Sequence, residues 1–370
     1  MKLAFALFKY FPYGGLQRDC VKIAMECVAR GHQVDVYTLH ADADLPDGIG
    51  LHLVAARHHR RYRRYELFAA SVQQLVREQG YDGLVGFNKM PGLDVYYAAD
   101  PCYAAKAAQR GWLYRQLGRT RSFLASEQAV FAATAATHSL LISPREMEVF
   151  RTYYATAPQR LHLLPPGIQR DRLAAADYPQ RRAAKRQELG LGADELMLLM
   201  VGSGFKTKGL DRSLRAIAAL PQALRERCRL YVVGQDNIAP FARLAARLGL
   251  QKQFYFLAGR DDVADLLFAA DVLLHPAYRE NTGTVLLEAL AAQLPLLVTA
   301  VCGYSFHIRD SGGGVVLDEP FSQQQMNSTL ERMLSGARRH WQQAAAAYVA
   351  EHDLFSLAPR AVDIIEQVVT

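Results

Sequence analysis

Short apolar runs alternate with amphipathic stretches along the whole chain. Residues 2–8 are an apolar run closed by Lys9, too short to stand as a helix, and they predict a first buried strand. Pro12 and the pair Gly14-Gly15 mark a turn, after which apolar positions recur at helical spacing from about Leu16 to Arg30. Gly31 stops that helix before a strand at 34–38. The pattern continues with a helix at about 65–79, strands at 83–87 and 93–100, a helical stretch within 103–132, and strands at 140–143 and 161–164.

The pattern restarts beyond Pro165-Pro166-Gly167, a stiff pair followed by a residue free to turn. A helix over 179–189 precedes strands at 196–201, 229–233, 254–257, 271–274 and 296–298. Helices fall between them, at about 210–220, 238–248, up to 270, and 283–293, and further helices run from about 323. Strands alternating with helices are the mark of parallel sheets covered on both faces. The expectation is an α/β protein of two doubly wound, Rossmann-like domains facing a cleft. Residues 1–166 form the first, residues 167–352 the second, and a helix from about 353 to 370 crosses back to the first.

Composition narrows the class. A chain of 370 residues with 51% hydrophobic content supplies two cores. It has no run of about twenty apolar residues, which argues against a membrane-spanning helix. The start is too short and too soon interrupted by Lys9 to read as a signal peptide. The five cysteines are scattered and form no Cys-x-x-Cys, which disfavours a zinc site or disulfide framework and fits a reducing cytosol. The net charge of +7 suggests an acidic partner without naming it.

Candidate chemistry gathers at strand ends, where open parallel sheets bind their ligands. After the strand at 271–274, a polar loop carries Glu280, and Asn281 or Thr282 caps a helix beside Gly283; Glu288 lies about two turns inside. A helix start with free amides attracts phosphate, and both acids can face one bound molecule; a capped surface helix with two solvated acids fits the same residues. The loop Gly202-Ser-Gly-Phe-Lys-Thr-Lys-Gly209 joins open backbone to Lys206 and Lys208, an anion signal that lacks the Walker order. In the first half, Gly14-Gly15 permits close approach of a ligand, and Asn88, Lys89 and Asp100 are candidates by position. Two basic stretches stand out. Residues 57–64 hold five arginines and two histidines. Residues 103–132 hold Lys106, Arg110, Arg115, Arg119 and Arg121 against Glu127 alone, interleaved with Trp112, Leu113, Leu117 and Phe123. That composition suits an interfacial segment on anionic lipid, and equally a core-packed helix with a solvated basic face.

Taken together, these motifs resemble the retaining GT-B glycosyltransferases of family four. The resemblance is carried by Glu280 and Glu288 with seven residues between them, Lys208-Gly209, Val232-Val-Gly234, Gly259-Arg260 and Gly14-Gly15, in order and spacing. Within that family, segments 9–19, 86–96, 164–168, 232–236 and 299–304 are similar to the glucosyltransferases of the lipopolysaccharide core in Gram-negative bacteria. The resemblance implies transfer of glucose from UDP-glucose to an inner-core heptose, with retention; no metal or other cofactor is expected, since cations of the chain take its place. It also implies an enzyme lying peripherally on the cytoplasmic face of the inner membrane, with a UDP-sugar, the lipopolysaccharide acceptor and the anionic membrane surface as partners. No recognised RNA or DNA module accompanies the basic segment at 103–132, so nucleic acid is not an expected partner.

The resemblance further implies roles by position. Glu288 holds the ribose, Glu280 lies beside the donor sugar, and Asn281, Thr282, Gly283, Thr284 and Val285 meet the diphosphate. Lys208 and Arg172 sit on the leaving group, with Gly202, Lys206, Gly234 and Arg260 around the nucleotide. Gly15, Leu16 and Gln17 face the donor from the first domain, and Asp19 and Asp100 attend the acceptor. Ser203 departs from the arginine common in relatives. A nucleotide-sugar epimerase, another transferase and a non-catalytic sugar-nucleotide or lipid binder are the competing functions.

Overall fold

In the computed structural model, residues 1–12 and 14–369 are described. The chain divides into two compact units, one of Met1–Gly167 with Ser356–Thr370 and one of Ile168–Phe355.

The first unit is built on a seven-stranded parallel sheet. Its strands are β1 (Lys2–Leu7), β2 (Gln33–Thr38), β3 (Ile49–Leu53), β4 (Gly83–Gly86), β5 (Val95–Ala98), β6 (His138–Leu141) and β7 (Leu161–Leu163). They lie in the order β3-β2-β1-β4-β5-β6-β7. β1 is central and almost wholly buried, as its apolar run requires. β3 has no counterpart in the expected strands. It sits at the edge, where one face of Ile-Gly-Leu-His-Leu is wet and the apolar signal is thin. Two cores cover the sheet, one containing Phe5, Ile23, Val85 and Tyr97, the other Phe68, Tyr96, Phe131 and Phe150. The helix Leu357–Val369 completes the first with Leu357, Val362 and Ile365. It is tied to the helix Gly15–Ala29 by Arg30, which donates to Asp363 at 2.8 Å and Glu366 at 3.0 Å.

The helix expected at 65–79 runs over Arg61–Glu78. Three arginines of the basic run are therefore helical. One turn inside it, the Tyr65 ring stacks on Phe8 with centroids 3.9 Å apart. Residues 103–132 form three helices, Tyr103–Ala108, Trp112–Gln116 and Gly118–Phe131, broken around Gly111 and Leu117. The segment is fixed by its single acid. The Glu127 carboxylate is fully buried and accepts from Lys89 Nζ at 2.5 Å, the Tyr103 and Ala104 amides at 2.7 and 2.8 Å, and Tyr154 Oη at 2.7 Å.

The second unit holds a six-stranded parallel sheet: β8 (Leu196–Val201), β9 (Cys228–Val233), β10 (Phe254–Ala258), β11 (Val272–His275), β12 (Leu296–Thr299) and β13 (Gly314–Leu317). The order β10-β9-β8-β11-β12-β13 reverses direction between β8 and β11. In such sheets the crevice beyond the carboxyl ends of those two strands is the binding position. β13 and the helices Pro144–Tyr154, Gln222–Arg227 and Ser305–Ser311 were not foreseen in the pattern. At the opposite end of β11, buried Asp271 accepts from Arg182 at 2.6 Å, Arg186 at 3.2 Å and the Met197 amide at 2.7 Å, and also meets Arg338. Burial alone would raise its pKa; Arg182 and Arg338 hold it below the usual carboxylate range. That knot pins the start of β11, and with it the loop at its far end.

Candidate active site

In the second unit, the loops after β8 and β11 meet. Gly202, Gly204 and Gly209 all have positive φ, so the loop after β8 turns without side-chain cost. Gly209 is the tightest of them: a β-carbon there would lie 2.0 Å from the Pro276 carbonyl oxygen. Gly234 serves a related end. Its own β-carbon would lie 2.9 Å from the Gly202 carbonyl carbon, so the loops after β8 and β9 pack backbone to backbone. Ser203, in the place of the expected arginine, accepts the Gln235 amide at 2.9 Å and ties those loops together.

The half-buried Lys208 extends from this loop to the Glu280 carboxylate, which it touches directly. Burial pushes the Lys208 ammonium below the ordinary lysine range, and the nearby Cys302 opposes that shift. His275, at the end of β11, lies with Nε2 3.2 Å from the same Glu280 oxygen. Burial, with the Lys208 charge nearby, lowers the His275 pKa to about 3, so its ring is neutral. Its Nδ1 is buried without a partner. His275 carries a clear strand-end position in the sequence, yet a lone histidine in an apolar run gave no chemical reason to single it out.

The helix Thr284–Ala291 begins beside this cluster, capped by Gly283 in a left-handed conformation with no side-chain hydrogen bond at the cap. Thr284 and Val285 thus open a helix whose cap residue, a glycine, offers the first amides no side-chain acceptor. Asn281 and Thr282 lie against the following loop: the Thr282 carbonyl accepts the Tyr304 amide at 2.8 Å, and Gly303 leaves room for the Asn281 carbonyl. Glu288 is buried, with Arg172 Nε 3.8 Å from its carboxylate. Arg172, on the short turn Arg170–Arg172, also donates to Asp171 at 2.5 Å. The Lys208–Glu280 and Arg172–Glu288 pairs therefore flank a glycine-capped helix at the reversal point of the sheet. Such a set neutralises a diphosphate and accepts from hydroxyl groups. Lys206 is exposed, while Arg260 is engaged elsewhere, in a fork on Asp262 at 2.7 and 2.5 Å. Among the described residues no group of three histidine, cysteine, aspartate or glutamate side chains is placed to hold a metal ion.

In the first unit, Gly15 is exposed with open space where a side chain would stand, and Leu16 is half-buried. Gln17 is buried and donates to the Lys9 carbonyl at 3.0 Å. Asp19 accepts from Tyr97 Oη at 2.7 Å, and Asp100 is exposed just beyond β5. Two residues picked by position have structural work instead. Asn88 accepts the Phe8 amide at 2.8 Å, and Lys89 is committed to buried Glu127. Lys106, Arg110, Arg115, Arg119 and Arg121 are all exposed, as are Trp112 at 70%, Leu113 at 67% and Leu117 at 55%. No described helix is long and apolar enough to cross a membrane.

Comparison with known proteins places the chain in a family. Residues 13–172 match the family described as Glycosyltransferase Family 4, and residues 181–348 match Glycosyl transferases group 1. Two parallel-sheet units with these matches define a GT-B glycosyltransferase. The lipopolysaccharide glucosyltransferase WaaG of Escherichia coli (strain K12) is 46% identical over 99% of this chain and 98% of its own length. A crystal structure of WaaG, a glycosyltransferase involved in lipopolysaccharide biosynthesis, superposes with a TM-score of 0.93, covering 98% of this chain and 99% of that one. The chain belongs to the WaaG family of glycosyltransferases. A more distant structure, Anabaena HepE in complex with UDP and glucose, shares the fold at a TM-score of 0.75 and 16% identity, covering 99% of this chain and all of its own.

Proposed function

We propose that the chain transfers glucose from UDP-glucose to a heptose of the lipopolysaccharide inner core, retaining the anomeric configuration. The observation that carries this reading is the meeting of Lys208 with Glu280 at the reversal point of the second sheet, in a chain alike to WaaG end to end. In the reaction, the bond from the sugar C1 to the diphosphate oxygen breaks, and the acceptor oxygen bonds to C1 from the same face. The acceptor proton passes to the leaving phosphate. Lys208, Arg172 and the helix start at Thr284 stabilise the charge that develops on UDP. They take the neutralising part, and the proposal includes no metal or other cofactor. Glu288 accepts the two ribose hydroxyls, and Glu280 positions the glucose while keeping Lys208 in place. On the acceptor side, Asp19 and Asp100 orient the heptose hydroxyl.

Because the acceptor is a membrane glycolipid, the exposed cations and apolar side chains of 103–121 are assigned to the anionic surface of the inner membrane's cytoplasmic face. The test is a donor panel against a heptose-terminated core acceptor, read by mass spectrometry. Transfer of a hexose from UDP-glucose is expected, and preference for another sugar nucleotide would overturn the donor assignment. Lys208→Ala and Glu280→Ala should each slow transfer at least about tenfold; a loss under about threefold, or ~0.7 kcal/mol, would remove those roles.

A further inference from the structure

Arg212 belongs to the helix Leu210–Ala218 and is only 8% exposed. Among the described residues it has no carboxylate partner. Its guanidinium lies between two rings, 3.6 Å from the centroid of Tyr278 and 3.6 Å from that of Phe321. Nη1 donates to two successive carbonyls, Pro276 at 3.1 Å and Ala277 at 3.0 Å, while Nε has no partner. Burying a cation against carbonyls and ring faces alone is a costly way to fill space, since an apolar side chain would pack in the same slot without the desolvation penalty. The hydrogen bonds are what the charge provides, and both go to the segment between His275 and Glu280.

Further contacts converge on that segment. The Tyr278 amide donates to the Thr207 carbonyl at 2.8 Å, and Tyr278 Oη donates to Asp211 at 2.9 Å. Thr299 Oγ1 donates to the Ala277 carbonyl at 2.8 Å, giving that oxygen two donors. The missing side chain of Gly209 lets the start of the helix press on Pro276. The residues on either side of Lys208 therefore grip the residues just before Glu280.

We infer that Arg212 is a positioning residue for the transfer reaction, fixing the 276–280 segment so that Glu280 meets Lys208 at the donor sugar. The inference rests on the proposed roles of Lys208 and Glu280. Arg212 touches no reacting atom in this account; it acts through Glu280. Its loss should weaken donor turnover and leave the acceptor side untouched.

The test is steady-state kinetics of Arg212→Met, Glu280→Gln and the double variant, using whichever sugar nucleotide the unaltered protein turns over. A failed glucose assignment therefore leaves this test standing. Arg212→Met should lower kcat at least about tenfold and raise the donor KM, with the acceptor KM within about twofold. The double variant should be no worse than Glu280→Gln alone within about threefold, because both changes disable one arrangement. Phe321→Leu, which removes one ring and keeps the charge, should show a smaller loss with the same split. It keeps the question decidable if the methionine variant does not fold. Losses that multiply in the double variant, a rise confined to the acceptor KM, or wild-type kinetics in Phe321→Leu would overturn the inference.

Discussion

Replacing Glu127 by Gln tests how residues 103–132 are held. The carboxylate is completely buried and compensates Lys89, itself only 11% exposed. It also accepts two backbone amides at the start of the helix Tyr103–Ala108. Glutamine keeps the shape, but it offers one acceptor oxygen in place of two and leaves the Lys89 charge unpaired. Breaking a buried pair from one side costs about 3–5 kcal/mol. For a unit of this size, ~2–4 °C of Tm per kcal/mol puts the fall at about 10 °C. Thermal unfolding followed by circular dichroism measures it. Lys89→Met in the same background removes the stranded charge and should recover part of the loss. The pH dependence has a definite sign. Burial would raise the Glu127 pKa, but Lys89 and the hydrogen bonds hold it below the ordinary value, so its contribution is present above that value and is lost as pH falls through the lowered one. Glu127→Gln should lack that part of the acid sensitivity. A fall in Tm under about 2 °C, or no recovery with Lys89→Met, would refute the reasoning.

Other outcomes follow from the same geometry. Vesicles with anionic lipid should bind the protein, and 1 M salt should weaken binding, because the Debye length there is about 3 Å; serine at Trp112, Leu113 and Leu117 should weaken it at any salt, and sedimentation measures both. Gly209→Ala forces a side chain against Pro276 in a left-handed conformation, and it should lower stability by about 1–3 kcal/mol in denaturant unfolding. Since His275 titrates near 3 in the folded protein against an ordinary 6.5, the unfolded chain takes up the extra proton between those values. Stability should therefore fall with acid in that window by up to ~1.4 kcal/mol per pH unit, a slope that His275→Gln removes.

Much of this was legible in the sequence because the strands of parallel sheets are continuous apolar runs. β1, β8 and β11 announce themselves that way, and the glycine loops and paired glutamates fall at their ends. Edge and short elements were not legible, since β3 has a wet face and the helix Gln222–Arg227 has no buried residue. Lys89 shows a different limit. A lysine at a strand end looks like a ligand contact until the fold supplies Glu127, thirty-eight residues away in the chain. Arg212 was invisible for the same reason: its partners, Pro276, Ala277 and Phe321, are brought to it only by the sheet.

The helix Leu357–Val369 gives the chain an interrupted plan, with the second unit inserted between two parts of the first. During synthesis, the first unit leaves the ribosome lacking the side chains of Leu357, Val362 and Ile365 that finish its core. It stays incomplete until residues 357–369 are made, while the inserted unit already has all its strands. Residues 1–167 expressed alone would present that bare face to solvent. In recombination between relatives, the self-contained exchangeable piece is the insert, 168–355, and its host must keep both of its own ends.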